Sequence, residues 1–233
     1  MVEQNIERLE WDSLFFGYEV GKMQINNQEK LNLDFFFKQA KKFKLIYVFS
    51  ESDLFISKFK LVDKKVIFHQ EIKNFNSEKE IVIESFNKDF HDFDQLKELA
   101  LESGVYSRFL IDKNFKNNEY NKLYSRWIEN AVDKINSFDV IIESKDEKII
   151  GFTTLNKKSA ILADLGLVAV SKEYRGLGIG KKIINESIQR SKQAGFKEIQ
   201  VVTQLDNKAA IQLYTSANFK IAKITNIYHF WNL

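Results

Sequence analysis

The order of apolar segments in the second half of the chain limits the fold more than any other feature of the sequence. Apolar-rich stretches at 140–144, 149–155 and 160–170 are separated by short polar segments suited to hairpin turns. A helix pattern at 180–194, a strand at 199–203, a helix at 207–217 and an extended C-terminal stretch follow. Strands that alternate with helices in this way predict an α/β fold.

The first half of the chain predicts a separate small unit. It contains an extended run at 18–25, a helix at 33–43 and strands at 45–49 and 65–72. The polar stretch 74–80 then separates two apolar-rich regions. We therefore expect a small N-terminal α/β subdomain at 1–77 and a larger domain at 78–233. The larger domain opens with a strand at 81–86 and two amphipathic helices, 93–104 and 120–135.

Composition excludes several classes of protein. The chain of 233 residues has no cysteine, so disulfides, thiolate nucleophiles and sulfur-ligated metals are excluded, and we expect no metal. Its 35 basic and 32 acidic residues give a net charge of +3 and are interleaved, which argues against nucleic-acid binding. The sequence lacks a signal-like N-terminus and an apolar run of membrane-spanning length, which predicts a cytoplasmic protein.

A glycine-rich segment between a buried strand and an amphipathic helix is the strongest local signal. Gly176, Gly178 and Gly180 stand at every second position just before the helix. Glycine lets the backbone approach a ligand, and N–H groups at a helix N-terminus favour an anion. The spacing fits neither a P-loop nor a Rossmann fingerprint. The alternatives are an anion cradle and a flexible turn without a ligand.

A second segment identifies the family that the chain resembles. Arg175-x-x-Gly178-x-Gly180 is followed, after a strand, by Asn207-x-x-Ala210-x-x-x-Tyr214. Both segments, at this spacing and in this order of elements, are similar to the motifs of the GNAT superfamily of N-acetyltransferases. The one departure is Asn218, where the family usually has glycine before Phe219, and asparagine tolerates the left-handed conformation that ends a helix. The resemblance implies a GNAT fold with a mixed central sheet.

The resemblance also implies a site for acetyl-CoA as co-substrate. The pantetheine arm would pair with backbone groups of one strand and with the Asn207 amide, and one strand N–H would polarise the thioester carbonyl. Backbone N–H groups of the glycine turn would hold the pyrophosphate. The implied binding residues are Leu167, Val168, Val170, Arg175, Gly176, Leu177, Gly178, Ile179, Gly180, Lys181 and Asn207.

Tyr214 is the candidate catalytic residue, because a phenol near the sulfur can protonate the departing thiolate. Its alternative role is a core tyrosine on the helix face that it shares with Ala210 and Ala217. The group that deprotonates the acceptor ammonium is less clear. Asp164 could act directly or through water, although a solvated or strand-pairing aspartate is the simpler interpretation.

The N-terminal unit narrows the expected acceptor. The segment Trp11-Asp12-Ser13-x-Phe15-Phe16-Gly17 resembles the opening of GNAT enzymes that acetylate dTDP-4-amino-4,6-dideoxygalactose. Two further segments, 106–109 and 124–132, are similar to the same enzymes. The resemblance implies N-acetylation of a nucleotide-linked amino sugar for surface polysaccharide, by direct attack of the amine on the thioester. Homodimers are usual among these enzymes.

Three residues before the second helix pattern are the candidates for binding the acceptor. In GNAT folds this region borders the acceptor cleft, so Tyr106, Ser107 and Arg108 are expected to bind the nucleotide sugar. Arginine suits a diphosphate because its planar fork donates two parallel bonds. A surface ion pair is the alternative role for Arg108. For the whole chain, a protein N-terminus, a lysine or another small amine remains open as the acceptor, as does a catalytically silent acyl-CoA-binding module.

Overall fold

The chain folds into two compact units, and the boundary differs from the predicted one. The computed structural model describes residues 5–25, 29, 31–73 and 83–233. One unit comprises Met1–Val66 together with Lys223–Leu233, and the other comprises Ile67–Ala222. The predicted boundary segment 74–80 lies outside the described residues. Residues 223–233, which we expected in the second domain, belong to the first unit because their strand pairs with a strand of that unit.

The first unit is a small α/β structure, as expected. Its elements are β1 (Glu7–Arg8), α1 (Glu10–Phe16), β2 (Val20–Ile25), α2 (Leu33–Ala40), β3 (Leu45–Ser50), the first part of β4 (Lys60–Glu71) and the end of β10 (Lys220–Trp231). β2 runs parallel to β3, while β1 pairs antiparallel with β2 and β10 pairs antiparallel with β3. The core contains the apolar face of α2 with Phe36, and Phe230 from the last strand.

The N-terminal motif that we associated with the sugar enzymes has structural roles in this unit. Ser13 is buried, and its hydroxyl donates to the Leu9 carbonyl at 2.7 Å and accepts from the Val20 N–H at 2.9 Å. These bonds tie α1 to the start of β2. Trp11 and Phe15 stack with ring centroids 4.8 Å apart, and Trp11 remains 46% exposed. The exposed Trp11 ring is therefore stacked on a half-buried Phe15 at the surface of this unit.

The second unit contains the remaining elements in the predicted order. They are β5 (Glu84–Ser85), α3 (Phe93–Ser103), α4 (Arg108–Ile111), α5 (Glu119–Val132), β6 (Ser137–Lys145), β7 (Lys148–Lys157), β8 (Leu162–Val170), α6 (Ile179–Gln193), β9 (Glu198–Gln204) and α7 (Lys208–Ser216). The strand predicted at 81–86 is represented by β5, and residues 81–82 lie outside the described part. The short helices α1 and α4 are not predicted from the sequence.

The sheet of the second unit is mixed, as the resemblance implies. β5, β6, β7 and β8 pair antiparallel in turn, and β9 runs parallel to β8. Helices α3 and α5 cover one face, where Leu96 and Ile128 pack against Phe152 of β7. The other face carries α6, since a Cβ at Gly151 would lie 2.8 Å from Ile183. Neighbouring residues of a strand point to opposite faces, so the two layers enclose the sheet.

Two further details of this unit concern its edges and ends. Pairing between β8 and β9 involves only Leu162–Leu165 and Glu198–Val201 among the described residues, so the strands separate toward their C-terminal ends. At the end of α7, Asn218 has φ of 67°, which confirms that asparagine takes the left-handed conformation expected there. No helix among the described residues is long and apolar enough to span a membrane.

Candidate active site

A cleft of about 370 Å³ lies in the second unit beside the free end of β8. The end of α3, the last residues of β8, the turn before α6 and one face of α7 form its walls. The lining residues that concern the chemistry are Glu102, Tyr106, Val168, Val170, Tyr174, Arg175, Gly176, Gly178, Ile179, Gly180, Lys181, Asn207 and Tyr214. Most of the residues that the sequence assigns to acetyl-CoA therefore share one cavity.

The glycine turn directs backbone N–H groups at this cleft. Gly176 and Gly178 have φ of 78° and 82°, a region that side chains disfavour, and Gly178 directly precedes α6. The N–H of Lys182 makes the first helical bond, to the Gly178 carbonyl at 3.0 Å. The N–H groups immediately before it have no helical acceptor. Together with the helix dipole they form a site suited to phosphate.

The side chains near this turn add positive charge. Lys181 and Arg175 both line the cleft, whereas the side chain of Leu177 is 68% exposed and does not. The next residue, Lys182, is held by Glu143 at 2.7 and 2.8 Å, so it belongs to the packing of α6 on the sheet. A doubly charged diphosphate would therefore meet the Lys181 ammonium besides the backbone donors, while the charge of Arg175 is offset by the Glu102 carboxylate.

Arg175 is anchored by the protein itself. Its Nε donates to the Val170 carbonyl at 2.9 Å, and its terminal amine lies 3.2 Å from the Glu102 carboxylate. The first contact ties the glycine turn to the end of β8, and the second ties it to α3. Both side chains are partly exposed, so the ion pair itself contributes little stability. Its effect is to fix the shape of the turn.

The direction of the peptide groups along β8 determines which of them a ligand can reach. In the antiparallel pair of β7 and β8, the Ser171 N–H donates to the Ile150 carbonyl at 2.8 Å. In an antiparallel pair of strands, residues opposite each other alternate between hydrogen-bonded and non-hydrogen-bonded pairs. Ser171 and Ile150 form a hydrogen-bonded pair, so the Val170–Gly151 and Val168–Thr153 pairs are non-hydrogen-bonded. The peptide groups of Val168 and Val170 therefore point away from β7, toward the side on which β9 diverges.

Leu167 differs from the other two predicted strand residues. Its N–H donates to the Thr154 hydroxyl at 3.0 Å, across the irregularity in register between β7 and β8. The Leu167 N–H therefore already has a partner within the protein, and the role of Leu167 in binding acetyl-CoA stays a prediction. Gly166 makes the close approach possible, since a Cβ there would lie 2.4 Å from the same hydroxyl.

Replacing Thr154 by valine should destabilise the protein by about 1–3 kcal/mol, because the Leu167 N–H would lose its partner inside the sheet. Denaturant unfolding of the variant and the wild type measures the difference. Thr153→Val is the matched control, since its buried hydroxyl makes only a 3.5 Å contact with a carbonyl. Equal losses in the two variants would contradict the importance of the Thr154–Leu167 bond.

Tyr214 lies on α7, is 4% exposed and lines the cleft. Its ring packs against Phe68 and Phe219, with centroids 5.7 and 6.1 Å away. Burial raises the pKa of the Tyr214 phenol above its usual value of about 10, so the hydroxyl keeps its proton at neutral pH. The residue thus combines a core position with a protonated hydroxyl at the cleft, and its catalytic role stays a prediction.

Asn207 begins α7 and is partly committed to it. Its side-chain oxygen accepts from the Ala210 N–H at 3.1 Å, which caps the helix. The amide nitrogen is then the end of the side chain that can serve as a donor toward a ligand in the cleft. The cap also fixes the direction of the side chain, so the same residue orients α7 and faces the cavity.

The three predicted acceptor-binding residues take different positions. Tyr106 lines the cleft and is 39% exposed. Ser107 is 5% exposed and caps α4, where its hydroxyl accepts from the Phe109 N–H at 3.3 Å. Arg108 stacks its guanidinium over the Phe109 ring at 4.5 Å and does not line the cleft. Of the three, the structure brings only Tyr106 to the cavity, because α4 turns the next two side chains inward.

The position of Asp164 gives little support for this residue as the general base. Asp164 does not line the cleft and accepts from the Gln200 amide at 2.6 Å. Burial raises the pKa of Asp164, while hydrogen bonds from Gln200 and Asn156 act in the opposite direction. No group of three or more potential metal ligands occurs among the described residues.

Sequence reasoning missed Glu102, Thr154 and Gly166. Only the apolar face of the helix that contains Glu102 carries a recognisable pattern, and Glu102 is not part of that face. Its partner Arg175 lies 73 positions away in the sequence, so no local pattern indicates the contact. An isolated glycine inside a strand pattern often marks a bulge, so Gly166 carried a signal that could have been used.

Several characterised proteins have similar sequences over parts of this chain. The spore coat polysaccharide biosynthesis protein SpsD of Bacillus subtilis is 24% identical over 140 residues, which cover 60% of this chain and 48% of that protein. N-alpha-acetyltransferase 30 of Schizosaccharomyces pombe is 38% identical over 55 residues, which cover 24% of this chain and 37% of that protein. The match thus spans less than half the length of either relative.

Solved structures share the fold at low sequence identity. A conserved protein of unknown function from Staphylococcus epidermidis aligns with 100% of this chain and 96% of its own, at 8% identity and a TM-score of 0.66. A GNAT-family acetyltransferase from Colwellia psychrerythraea aligns with 92% of this chain and 80% of its own, at 15% identity and a TM-score of 0.55. These likenesses confirm the predicted GNAT fold.

The sequence profile of the acetyltransferase (GNAT) family matches residues 94–219, which is more than half of the chain and contains the whole cleft wall described above. GNAT acetyltransferases are acyl-CoA-dependent N-acetyltransferases that use acetyl-CoA. The chain belongs to this family.

Proposed function

We propose that the protein transfers an acetyl group from acetyl-CoA to the amine of an acceptor held at the same cleft. The observation that carries this proposal is the convergence of three features on one cavity. They are the backbone donors after Gly176, the outward-facing peptide groups of Val168 and Val170, and the protonated phenol of Tyr214. Each corresponds to one part of the thioester co-substrate: the diphosphate, the extended arm and the sulfur.

The residues of the cleft fit acetyl-CoA in their chemistry. The N–H groups at the start of α6, with Lys181, would bind the pyrophosphate. The peptide groups of Val168 and the N–H of Val170, whose carbonyl already accepts from Arg175, would pair with the pantetheine arm as an added strand does. The Asn207 amide would donate to the same arm. Acetyl-CoA supplies an activated acyl group, and the protein contributes positioning and hydrogen bonds.

The proposed reaction uses two of these groups directly. The acceptor amine attacks the carbonyl carbon, a C–N bond forms, and the carbonyl oxygen gains negative charge that the Val168 N–H would stabilise. As the C–S bond breaks, Tyr214 would give its proton to the sulfur, so that CoA leaves as the thiol. The oxyanion collapses to re-form the C=O bond as the sulfur leaves, and the nitrogen, positively charged after attack, loses a proton to solvent to give the amide. The phenolate regains a proton from solvent, and the ammonium form of the acceptor must lose one before attack.

We propose that the acceptor is the 4-amino group of a dTDP-linked amino-dideoxysugar used for surface polysaccharide. The support comes from the opening segment 11–17, from the segments 106–109 and 124–132, and from the similarity to SpsD, whose name refers to spore coat polysaccharide biosynthesis. Both proposed substrates are soluble, which favours a cytoplasmic location, and we expect a homodimer by analogy with the resembled enzymes.

The test is an acceptor panel scored by free thiol release. It contains dTDP- and UDP-linked 4-amino and 3-amino sugars, a peptide with a free N-terminus and a peptide with an acetylated N-terminus and one lysine. We expect release with a 4-amino dTDP sugar and little with the peptides. Activity confined to peptides would replace the sugar by a protein acceptor, which the local similarity to N-alpha-acetyltransferase 30 keeps open. Binding of acetyl-CoA without release for any amine would indicate a silent binding module.

A further inference from the structure

A second cavity lies beside β8, at the residues just before the cleft begins. It measures about 310 Å³ and is lined by side chains of α5, the following loop, β6 and β7, and by Gly166 and Leu167 of β8. We name it the amide pocket after its polar residues, which are Trp127, Asn130, Asn136, Ser137, Thr154 and Asn156. We propose that the amide pocket binds the amino-sugar ring of the acceptor, an inference that rests on the proposed function above.

The chemistry of the lining favours a neutral, hydroxyl-rich ligand. Three carboxamides, two hydroxyls and one indole line the pocket, and none of its lining residues is charged. Each carboxamide offers two donors and an acceptor, the combination that matches sugar hydroxyls. An indole adds a flat apolar surface with a single donor. A diphosphate or a peptide carboxylate would find no cation here.

The polar groups that shape the pocket are already ordered. The Ser137 hydroxyl donates to the Asn156 side-chain oxygen at 2.5 Å, and the Thr154 hydroxyl holds the Leu167 N–H at 3.0 Å. Asn130 and Asn136 make no side-chain hydrogen bond within the described part of the chain, so their carboxamides are available to a ligand. The pocket thus combines a fixed wall with two available amides.

The position of the pocket fits an amine that attacks a thioester in the cleft. Leu167 lines the pocket and Val168 lines the cleft, and consecutive strand residues are only about 3.3 Å apart. A thioester carbonyl that accepts a bond from the Val168 N–H would therefore lie next to the pocket along β8. The pocket lies on the face covered by α5, and α6 covers the other face.

The volume indicates how much of the acceptor enters. Ligand pockets run from about 300 to 1,000 Å³, so this one is at the small end of the range. It has room for one sugar ring and excludes a whole nucleoside diphosphate sugar. The nucleotide would remain outside, and the pocket would select the ring that carries the amine.

The test is the variant Asn130→Ala, alone and combined with Asn136→Ala. Losing one hydrogen bond should raise the KM for dTDP-4-amino-4,6-dideoxygalactose roughly three- to tenfold, and the double variant should raise it by at least roughly tenfold. The affinity for acetyl-CoA, measured by calorimetry, should stay at the wild-type value. Asn121→Ala is the matched control, because Asn121 is exposed on the same helix and does not line the pocket.

The outcomes separate this proposal from the proposed function. If the wild type acetylates the sugar and the double variant keeps the wild-type KM, the amide pocket is not the acceptor site although the function stands. Equal losses for sugar and acetyl-CoA would also overturn the pocket as a separate site. If the wild type releases no thiol with any amino sugar, the proposed acceptor is wrong and the pocket proposal is overturned with it.

Discussion

Tyr214→Phe is expected to lower turnover roughly 10²-fold while the KM for acetyl-CoA changes little. The substitution keeps the ring that packs against Phe68 and Phe219 and removes only the hydroxyl at the cleft. Without a proton donor near the sulfur, CoA would have to leave as the thiolate. Steady-state thiol release with both substrates varied measures the two constants.

Tyr174→Phe provides the matched control, because Tyr174 also lines the cleft. Its ring lies 5.7 Å from the Lys145 ammonium, at the mouth of the glycine turn rather than on α7. We expect the loss of the Tyr174 hydroxyl to leave turnover near the wild-type value. Equal losses of turnover in the two variants would mean that the loss is not specific to the Tyr214 hydroxyl. Unchanged turnover in Tyr214→Phe would remove Tyr214 from the mechanism.

The pH profile offers an independent check on the same residue. Burial raises the pKa of Tyr214, and the active form of a general acid is the protonated one. The activity that depends on Tyr214 is therefore fully present at neutral pH and is lost only as the pH rises through the raised pKa. The alkaline decline of turnover should begin above pH 10, and a decline centred near pH 8 would identify a different group.

The parts of the site that could be predicted are those that local sequence determines. Glycines before a helix pattern specify geometry over a few residues, so the turn at Gly178 lies where expected. The left-handed Asn218 is of the same kind. In each case the responsible contacts join residues within five positions of one another.

The features that the sequence could not predict depend on contacts between distant segments. Whether the Leu167 N–H faces a ligand depends on the register of β7, thirteen positions earlier, and on the Thr154 hydroxyl. Likewise, a short helix directs Ser107 inward as a cap, whereas we expected Ser107 to bind the nucleotide sugar. The assignment of residues 223–233 to the first unit rests on pairing with β3, which a linear division of the chain cannot represent.

The second large effect is expected for Gly178→Ala, which should raise the Kd for acetyl-CoA roughly 10- to 100-fold. Its φ of 82° disfavours any side chain, although a Cβ would meet no atom within 4 Å. Relief of this backbone strain rotates the peptide groups that begin α6 and misaligns their N–H bonds to the diphosphate. Hydrogen bonds to charged groups contribute about 1.5–3 kcal/mol each, which sets the size of the loss.

Gly195→Ala separates this effect from loss of stability. Gly195 has φ of 89°, its Cβ would also meet nothing within 4 Å, and it follows the opposite end of α6. A left-handed alanine costs about 1–2 kcal/mol at either position, so both variants should unfold at similarly lowered denaturant concentrations. Calorimetric titration should then show weakened acetyl-CoA binding for Gly178→Ala alone. Wild-type binding of acetyl-CoA by both variants would contradict the assignment of the turn as the phosphate site. In that case, backbone strain at the start of α6 would affect binding no more than the same strain at its end.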